Sequence, residues 1–257
     1  MRLLSVEQPT LVPRAEASPT ERIDAVMAGF RAGAAQVFFL PLSDFPERLA
    51  EPILTANEME RARRLPAPLV RRGFIGGRWL LRSVLAAVTD VDARLLDVQA
   101  EAHGKLVLAG HNRWAASFNL SHSGDLVALA LVRGRPIGID IEVERPLTDA
   151  ALLARRILGQ REREHYEALP ESARGPALLI AWTRKEAVLK AVGSGISGGL
   201  STVEVLTDAV VADGAQTSHW SVHTLSMPAG YHGAIATERK APRLVIWQAV
   251  PQPARTL

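Results

Sequence analysis

The chain has 257 residues, 47% of them apolar, and a formal net charge of +3. That is enough apolar material to bury the core of one large domain or two small ones. It has no cysteine, which excludes disulfides, zinc–thiolate sites and a cysteine nucleophile.

The apolar stretch before Glu7 and Pro9 is too short for a signal peptide, and no run is long and apolar enough to cross a membrane. A cytoplasmic protein is expected. The cations gather at Arg61, Arg63 and Arg64, at Arg71 and Arg72, and at Arg155 and Arg156. Such arginine clusters suit phosphorylated ligands or an acidic protein. Nucleic acid is not expected, since no long basic run interleaved with aromatics is present.

Residues 1–35 are rich in Pro, Ala and Glu and carry few clear signals. Val37 to Leu40 reads as a short buried strand ended by Pro41, and Asn57 to Arg64 as a charged helix broken by Pro66 and Pro68. Leu69 to Val88 is a helix, with Phe74, Leu81, Val84, Leu85 and Val88 near helical spacing. Val98 to Ala102 and Lys105 to Leu108 read as extended pieces around the turn His103-Gly104. Ser117 to Ser121 is a strand, and Leu126 to Val132 is apolar throughout, as a strand buried on both faces would be. After the turn Arg133 to Pro136, Ile137 to Glu142 alternates as a strand does. Ala150 to Leu169 and Pro176 to Val192 read as helices, the second closed by Gly193. A glycine-rich loop, Ser194 to Gly199, follows. Val203 to Leu206, Trp220 to Leu225, His232 to Thr237 and Leu244 to Val250 read as strands. This order predicts an α+β protein of two similarly sized halves, 1–136 and 137–257.

The chemistry concentrates in a few segments. Alternation puts Ile137, Ile139 and Ile141 on one face of a strand and Asp140 and Glu142 on the other. Adjacent carboxylates repel unless a cation lies between them, although exposed acids on a solvated face are the commoner case. Trp182, Glu186 and Lys190 are four apart and share one side of a helix. Glu186 and Lys190 alone could be a surface pair of about 0.3–0.5 kcal/mol. Lys185, however, lies near the centre of the apolar stripe Leu178, Ala181, Trp182, Val188, Leu189 and Val192, so it is expected to be buried against an anion. Ser121-His122-Ser123-Gly124 at a strand end suits a phosphate cradle or an ordinary polar turn. No Gly-x-Ser-x-Gly elbow supports a serine hydrolase, and His103-Gly104-Lys105 lacks the rest of a Walker loop. The seven histidines show no metal-ligand spacing. Hard acids for magnesium and a lysine for phosphate point to phosphate-ester chemistry.

Taken together, four segments in order resemble the Sfp-type 4′-phosphopantetheinyl transferases. They are His103-Gly104-Lys105, Phe118 to Gly124, Gly138-Ile139-Asp140-Ile141-Glu142, and Trp182-Thr183-Arg184-Lys185-Glu186 through Lys190. The resemblance spans roughly residues 57 to 200. It implies two halves related by a pseudo-twofold axis, with the active site between them. It also implies transfer of the phosphopantetheine arm of coenzyme A to a serine of an apo acyl or peptidyl carrier protein, with release of 3′,5′-ADP.

By the same resemblance, Mg²⁺ is held by Asp140, Glu142 and Glu186 and by the coenzyme's pyrophosphate, with Glu186 also the base for the carrier serine, directly or through water, and Lys190 meets the pyrophosphate. Ser121 and His122 contact coenzyme phosphates, and His122 joins Glu186 and Lys190 among the catalytic residues. His103, Gly104 and Lys105 lie near the nucleotide. Arg61 matches a 3′-phosphate cation, with Arg72 or Arg78 assisting. Glu162 falls where some members place a further acid near the metal. Two departures stand out: Leu106 replaces a common proline, and Glu58 a common lysine. A monomer is expected. The alternatives are a magnesium-dependent nucleotide-pyrophosphate hydrolase and a non-catalytic carrier-binding module.

Overall fold

The computed structural model of the chain describes residues 19–101, 104–110, 114–193, 199–206, 209–212, 218–238, 242–249 and 251. Residues 1–18, His103 and residues 194–198 of the glycine-rich loop lie outside the described residues.

The first half runs α1 (Pro19–Arg31), β1 (Ala35–Pro41), α2 (Ala56–Arg63), α3 (Pro68–Thr89), a small hairpin β2 (Val98–Ala100) and β3 (Leu106–Leu108), then β4 (Ala116–Ser123) and β5 (Leu126–Arg133). Local chemistry sets these limits. Thr55 and Glu58 form a reciprocal capping box at the start of α2, satisfying backbone N–H groups that a helix start leaves unpaired. Pro68 does not merely end α2; it is the first residue of α3, where its missing N–H is not needed.

The second half runs β6 (Ile137–Val143), α4 (Ala150–Ile157), α5 (Gln160–Glu167), α6 (Glu171–Val192), β7 (Ala209–Ala212), β8 (Ser218–Thr224) and β9 (Tyr231–Glu238). Gly193 closes α6 at φ 83°, a conformation open to glycine without a Cβ penalty. A last strand, β10 (Leu244–Gln248), returns to the first half.

Two four-stranded sheets result, ordered β10-β1-β5-β4 and β6-β9-β8-β7. All pairs are antiparallel except β10 with β1. Both halves repeat one order: a strand, helices ending in one of 22 residues, then a hairpin that pairs back on the strand. Alternation along β5 explains the layering. Val127, Leu129 and Leu131 join the core under α3. Ala128, Ala130 and Val132 meet Ile137, Ile139 and Ile141 of β6 in a core between the sheets. A third core lies between α4, α6 and the second sheet. The layers are therefore helix, sheet, sheet, helix, and the molecule is α+β.

Two expectations are corrected, and two elements were not anticipated. The N-terminal stretch holds α1, which Gln36 anchors by donating from Nε2 to the Val26 carbonyl at 2.8 Å. Ala150 to Leu169 is two helices, because Leu158 turns extended and Gly159 starts α5 with Glu162 accepting from its N–H at 2.8 Å. Val203 to Leu206 is not a strand. A 3₁₀ turn at Leu200–Thr202 leads into it, and its polar groups bond to Lys185 and Glu162 in place of a ladder. The strand β7 carries too weak an alternation to be anticipated.

Candidate active site

The site forms where α6 lies directly on β6. A Cβ on Gly138 would come within 2.0 Å of the Ala187 carbonyl oxygen and 2.5 Å of the Ala191 nitrogen. Only glycine permits that approach, and it brings Glu186 and Lys190 onto the acidic face of β6. Lys190 Nζ lies 2.7 Å from Asp140 Oδ1 and 3.1 Å from Ser121 Oγ. Ser121 Oγ donates to the same Asp140 oxygen at 2.9 Å and accepts from the Ile141 N–H at 3.3 Å. Ser123 repeats this one residue pair along, donating to Glu142 Oε2 at 2.8 Å and accepting from the Val143 N–H at 3.1 Å.

The electrostatics are those of a buried anionic pocket. Burial pushes the Asp140 carboxyl above the usual range, against the pull of Lys190. Burial also raises Glu186, and Asp140 beside it adds to the effect. Asp140 Oδ2 and Glu186 Oε1 are buried with no hydrogen-bond partner among the described residues. A bare buried carboxylate oxygen costs several kcal/mol of desolvation, of order 1–3 or more. Glu142 is less enclosed; Arg145 Nη1 holds the same Oε2 at 3.0 Å. Each of these acids thus keeps at least one oxygen without a hydrogen bond among the described residues, of the hard, anionic kind that a small dication takes. As the side chains stand, no three acidic or imidazole groups among the described residues close to metal-binding distance. Lys190 supplies positive charge beside Asp140.

A cavity of about 320 Å³ meets the site at Ser121, the partner of Asp140, and none of the three acids lines it. Arg61, Phe74, Arg78, Gly104, Ser121 and His122 are among its lining residues. His122 fits because α3 is bare at Gly73, where a Cβ would come within 2.6 Å of the imidazole. Burial, then Lys190, lowers the His122 pKa, so the ring is neutral near pH 7. The guanidiniums of Arg61 and Arg78 lie over the Phe74 ring, 5.4 and 5.3 Å from its centroid. Glu58 is also an anchor: it holds Arg82 Nε at 2.7 Å and lies 3.7 Å from Arg78 Nη1.

The structure gathers Asp140, Glu142, Glu186, Lys190, Ser121 and His122 in one place, with Arg61, Arg78 and Gly104 around the cavity. Other residues go elsewhere. Lys105 Nζ donates to the Ala191 carbonyl at 2.9 Å, on the last turn of α6, and does not line the cavity. Arg72 reaches the Phe45 carbonyl at 3.4 Å. Glu162 does not face the acids of β6. It pairs with Lys185 at 2.6 Å and accepts from Gly159 and Val205 N–H groups. Lys185 is fully buried against that anion, as the helical wheel predicts. Asn119 was missed: its Oδ1 accepts from the Ile139 N–H at 3.0 Å. The signal was present in β4, where polar Asn119, Ser121 and Ser123 alternate with apolar Phe118 and Leu120.

Residues 136–236 match the family model of the 4′-phosphopantetheinyl transferase superfamily. HetI, a 4′-phosphopantetheinyl transferase of Nostoc sp., is 40% identical over 56% of this chain, and the match spans 61% of HetI. AcpT, a 4′-phosphopantetheinyl transferase of Salmonella typhi, is 31% identical over 68% of this chain and 84% of its own. The 4′-phosphopantetheinyl transferase psf-1 of Bacillus pumilus is 29% identical over 74% of this chain and 82% of its own. The solved holo-[acyl-carrier-protein] synthase of Thermotoga maritima matches 41% of this chain and 63% of its own at 21% identity, with a TM-score of 0.34, too distant a likeness to inform the fold.

Proposed function

The chain belongs to the 4′-phosphopantetheinyl transferase superfamily, and on that premise we propose that it moves the phosphopantetheine arm of coenzyme A to a serine of an apo carrier protein, releasing 3′,5′-ADP. The observation that carries this reading is the pair of bare, buried oxygens on Asp140 and Glu186 beside Lys190. Ser121, the partner of Asp140, joins them to a cavity lined by arginines and His122.

On this reading Asp140, Glu142 and Glu186 hold Mg²⁺, which when bound neutralises charge on the pyrophosphate oxygens. Arg61 and Arg78 offer planar forks to the 3′-phosphate. Neutral His122 offers a hydrogen bond to a coenzyme phosphate. The carrier serine oxygen forms a bond to the β-phosphorus while the bond from that phosphorus to the ADP oxygen breaks. Glu186, beside Asp140 and Lys190, takes the serine proton as the general base. Lys190 faces the charge that develops on the leaving group.

The repeated strand–helix–hairpin order supports a pseudo-twofold pair of halves with the site at their seam. Both halves close within one chain, which suits a monomer, and a basic enzyme suits an acidic carrier. The test is incubation with coenzyme A, Mg²⁺ and a panel of apo carriers, read by intact mass. One phosphopantetheine should be added per carrier. No gain on any carrier overturns the reading, and coenzyme A turnover without a carrier points to a pyrophosphate hydrolase.

A further inference from the structure

Strand β6 is the edge of its sheet, so every second N–H along it points away from β9. Those N–H groups belong to Ile139, Ile141 and Val143, and each is met by a side chain: Asn119 Oδ1 at 3.0 Å, Ser121 Oγ at 3.3 Å and Ser123 Oγ at 3.1 Å. The three acceptors alternate along β4, each 20 residues before its donor. One face of β4 therefore stands in for a neighbouring strand. It fixes the register of β6 against the first half, and the acids of β6 with it.

The serines do more than accept. Ser121 gives its proton to Asp140 Oδ1, and Ser123 gives its own to Glu142 Oε2. Lys190 supports Ser121 in holding Asp140. Glu142 has less help. Besides Ser123 it has Arg145, whose side chain is 53% exposed and holds the same oxygen from the solvent side. Without Ser123, the carboxylate is free to follow Arg145 outward, away from Asp140.

We propose that Ser123 is a positioning residue: it ties Glu142 Oε2 to β4 and so keeps the Glu142 carboxylate on the side of Asp140 and Glu186, available to a divalent cation. This rests on the reading of those acids as a metal site. Asn119 sets the register and Ser123 the aim.

The test compares the full-length wild type with Ser123→Ala and Ser123→Thr, the second keeping the hydroxyl. Mn²⁺ affinity is measured from the EPR signal of the free ion, and the Mg²⁺ dependence of transfer is measured in parallel. Loss of an outer-shell partner costs roughly 10–100-fold in metal affinity. Ser123→Ala should show a weakening of that size, a KM for Mg²⁺ that rises more than kcat falls, and recovery in Ser123→Thr. If Ser123→Ala does not fold, Ser123→Cys keeps the volume with a weak donor and carries the same comparison. Equal Mn²⁺ affinity in wild type and the serine variants, with only a lower Tm, would overturn the proposal and leave Ser123 as a strand fastener. A wild type that binds no Mn²⁺ would instead overturn the metal-site reading, and this inference with it.

Discussion

Asp140 concentrates the tension of the site in one side chain. It is 5% exposed, one oxygen is shared by Lys190 and Ser121, and the other is bare. Asp140→Ala should therefore lower transfer by more than about a hundredfold, beyond what losing an outer-shell partner reaches, measured as kcat/KM at saturating Mg²⁺. Near-normal rates would remove Asp140 from the metal set. The raised carboxyls also predict a pH dependence. Asp140 and Glu186 hold protons more tightly folded than unfolded. In the metal-free protein these two groups should therefore contribute stability that is fully present below the ordinary carboxylate range, at about pH 4, and is lost as pH rises through the raised values. Urea midpoints across that range in EDTA test this. Glu186→Gln should flatten the fall, and Mg²⁺ should oppose it by binding the ionised acids. The polar residue types of the site were legible in the sequence because strand alternation and helical spacing put them on common faces. Which oxygen each neighbour holds was not, because Ser121, Asp140 and Lys190 meet only when β4, β6 and α6 are packed together.

Among the elements, α6 and β6 meet at the site, and one glycine in each shows two different roles. Gly138 lets α6 touch the β6 backbone. Gly138→Ala must push backbone against backbone, so a loss at or above the roughly 1–3 kcal/mol of ordinary overpacking is expected, with transfer lost in any folded fraction. Gly175, in the first turns of α6, would meet nothing within 4 Å among the described residues. Gly175→Ala should be neutral or stabilise by about 0.5–1 kcal/mol. Thermal melts of the two variants decide between a packing and a propensity effect. Lys185 fastens α6 to α5 and to the segment after Leu200, through Glu162 and the Leu200 and Val203 carbonyls. Lys185→Met should destabilise by about 3–5 kcal/mol, since it strands Glu162 as a buried unpaired charge. Denaturant midpoints check it. That Lys185 is buried was readable from the helical wheel. Its partner was not, because Glu162 reaches it only through the break at Leu158 and Gly159, and a single glycine in an otherwise helical run is a weak signal.

For the whole molecule, the last strand closes the first sheet. Strand β10 pairs in parallel with β1 across the full sequence, and Trp247 Nε1 donates to the buried Gln36 Oε1 at 2.9 Å. Deleting residues from 243 onward should expose the β1 edge and remove that bond, giving a lower Tm and aggregation, read by light scattering during a melt. An unchanged melt would mean that the strand is ornamental. Among the described residues no helix is long and apolar enough to cross a membrane. The sequence by itself determined the wholly apolar strand β5, the alternating strand β6, the long helices α3 and α6, and the residue types that identify the family. Those depend on short-range period and spacing, which a linear chain displays directly. Only the tertiary structure decided that Glu162 serves Lys185 and that Lys105 lies on the end of α6. Tertiary contacts likewise made Asn119, Ser121 and Ser123 a surrogate strand for the acids that hold the site. Each of those pairings joins residues on different elements, so it exists only once those elements have packed together.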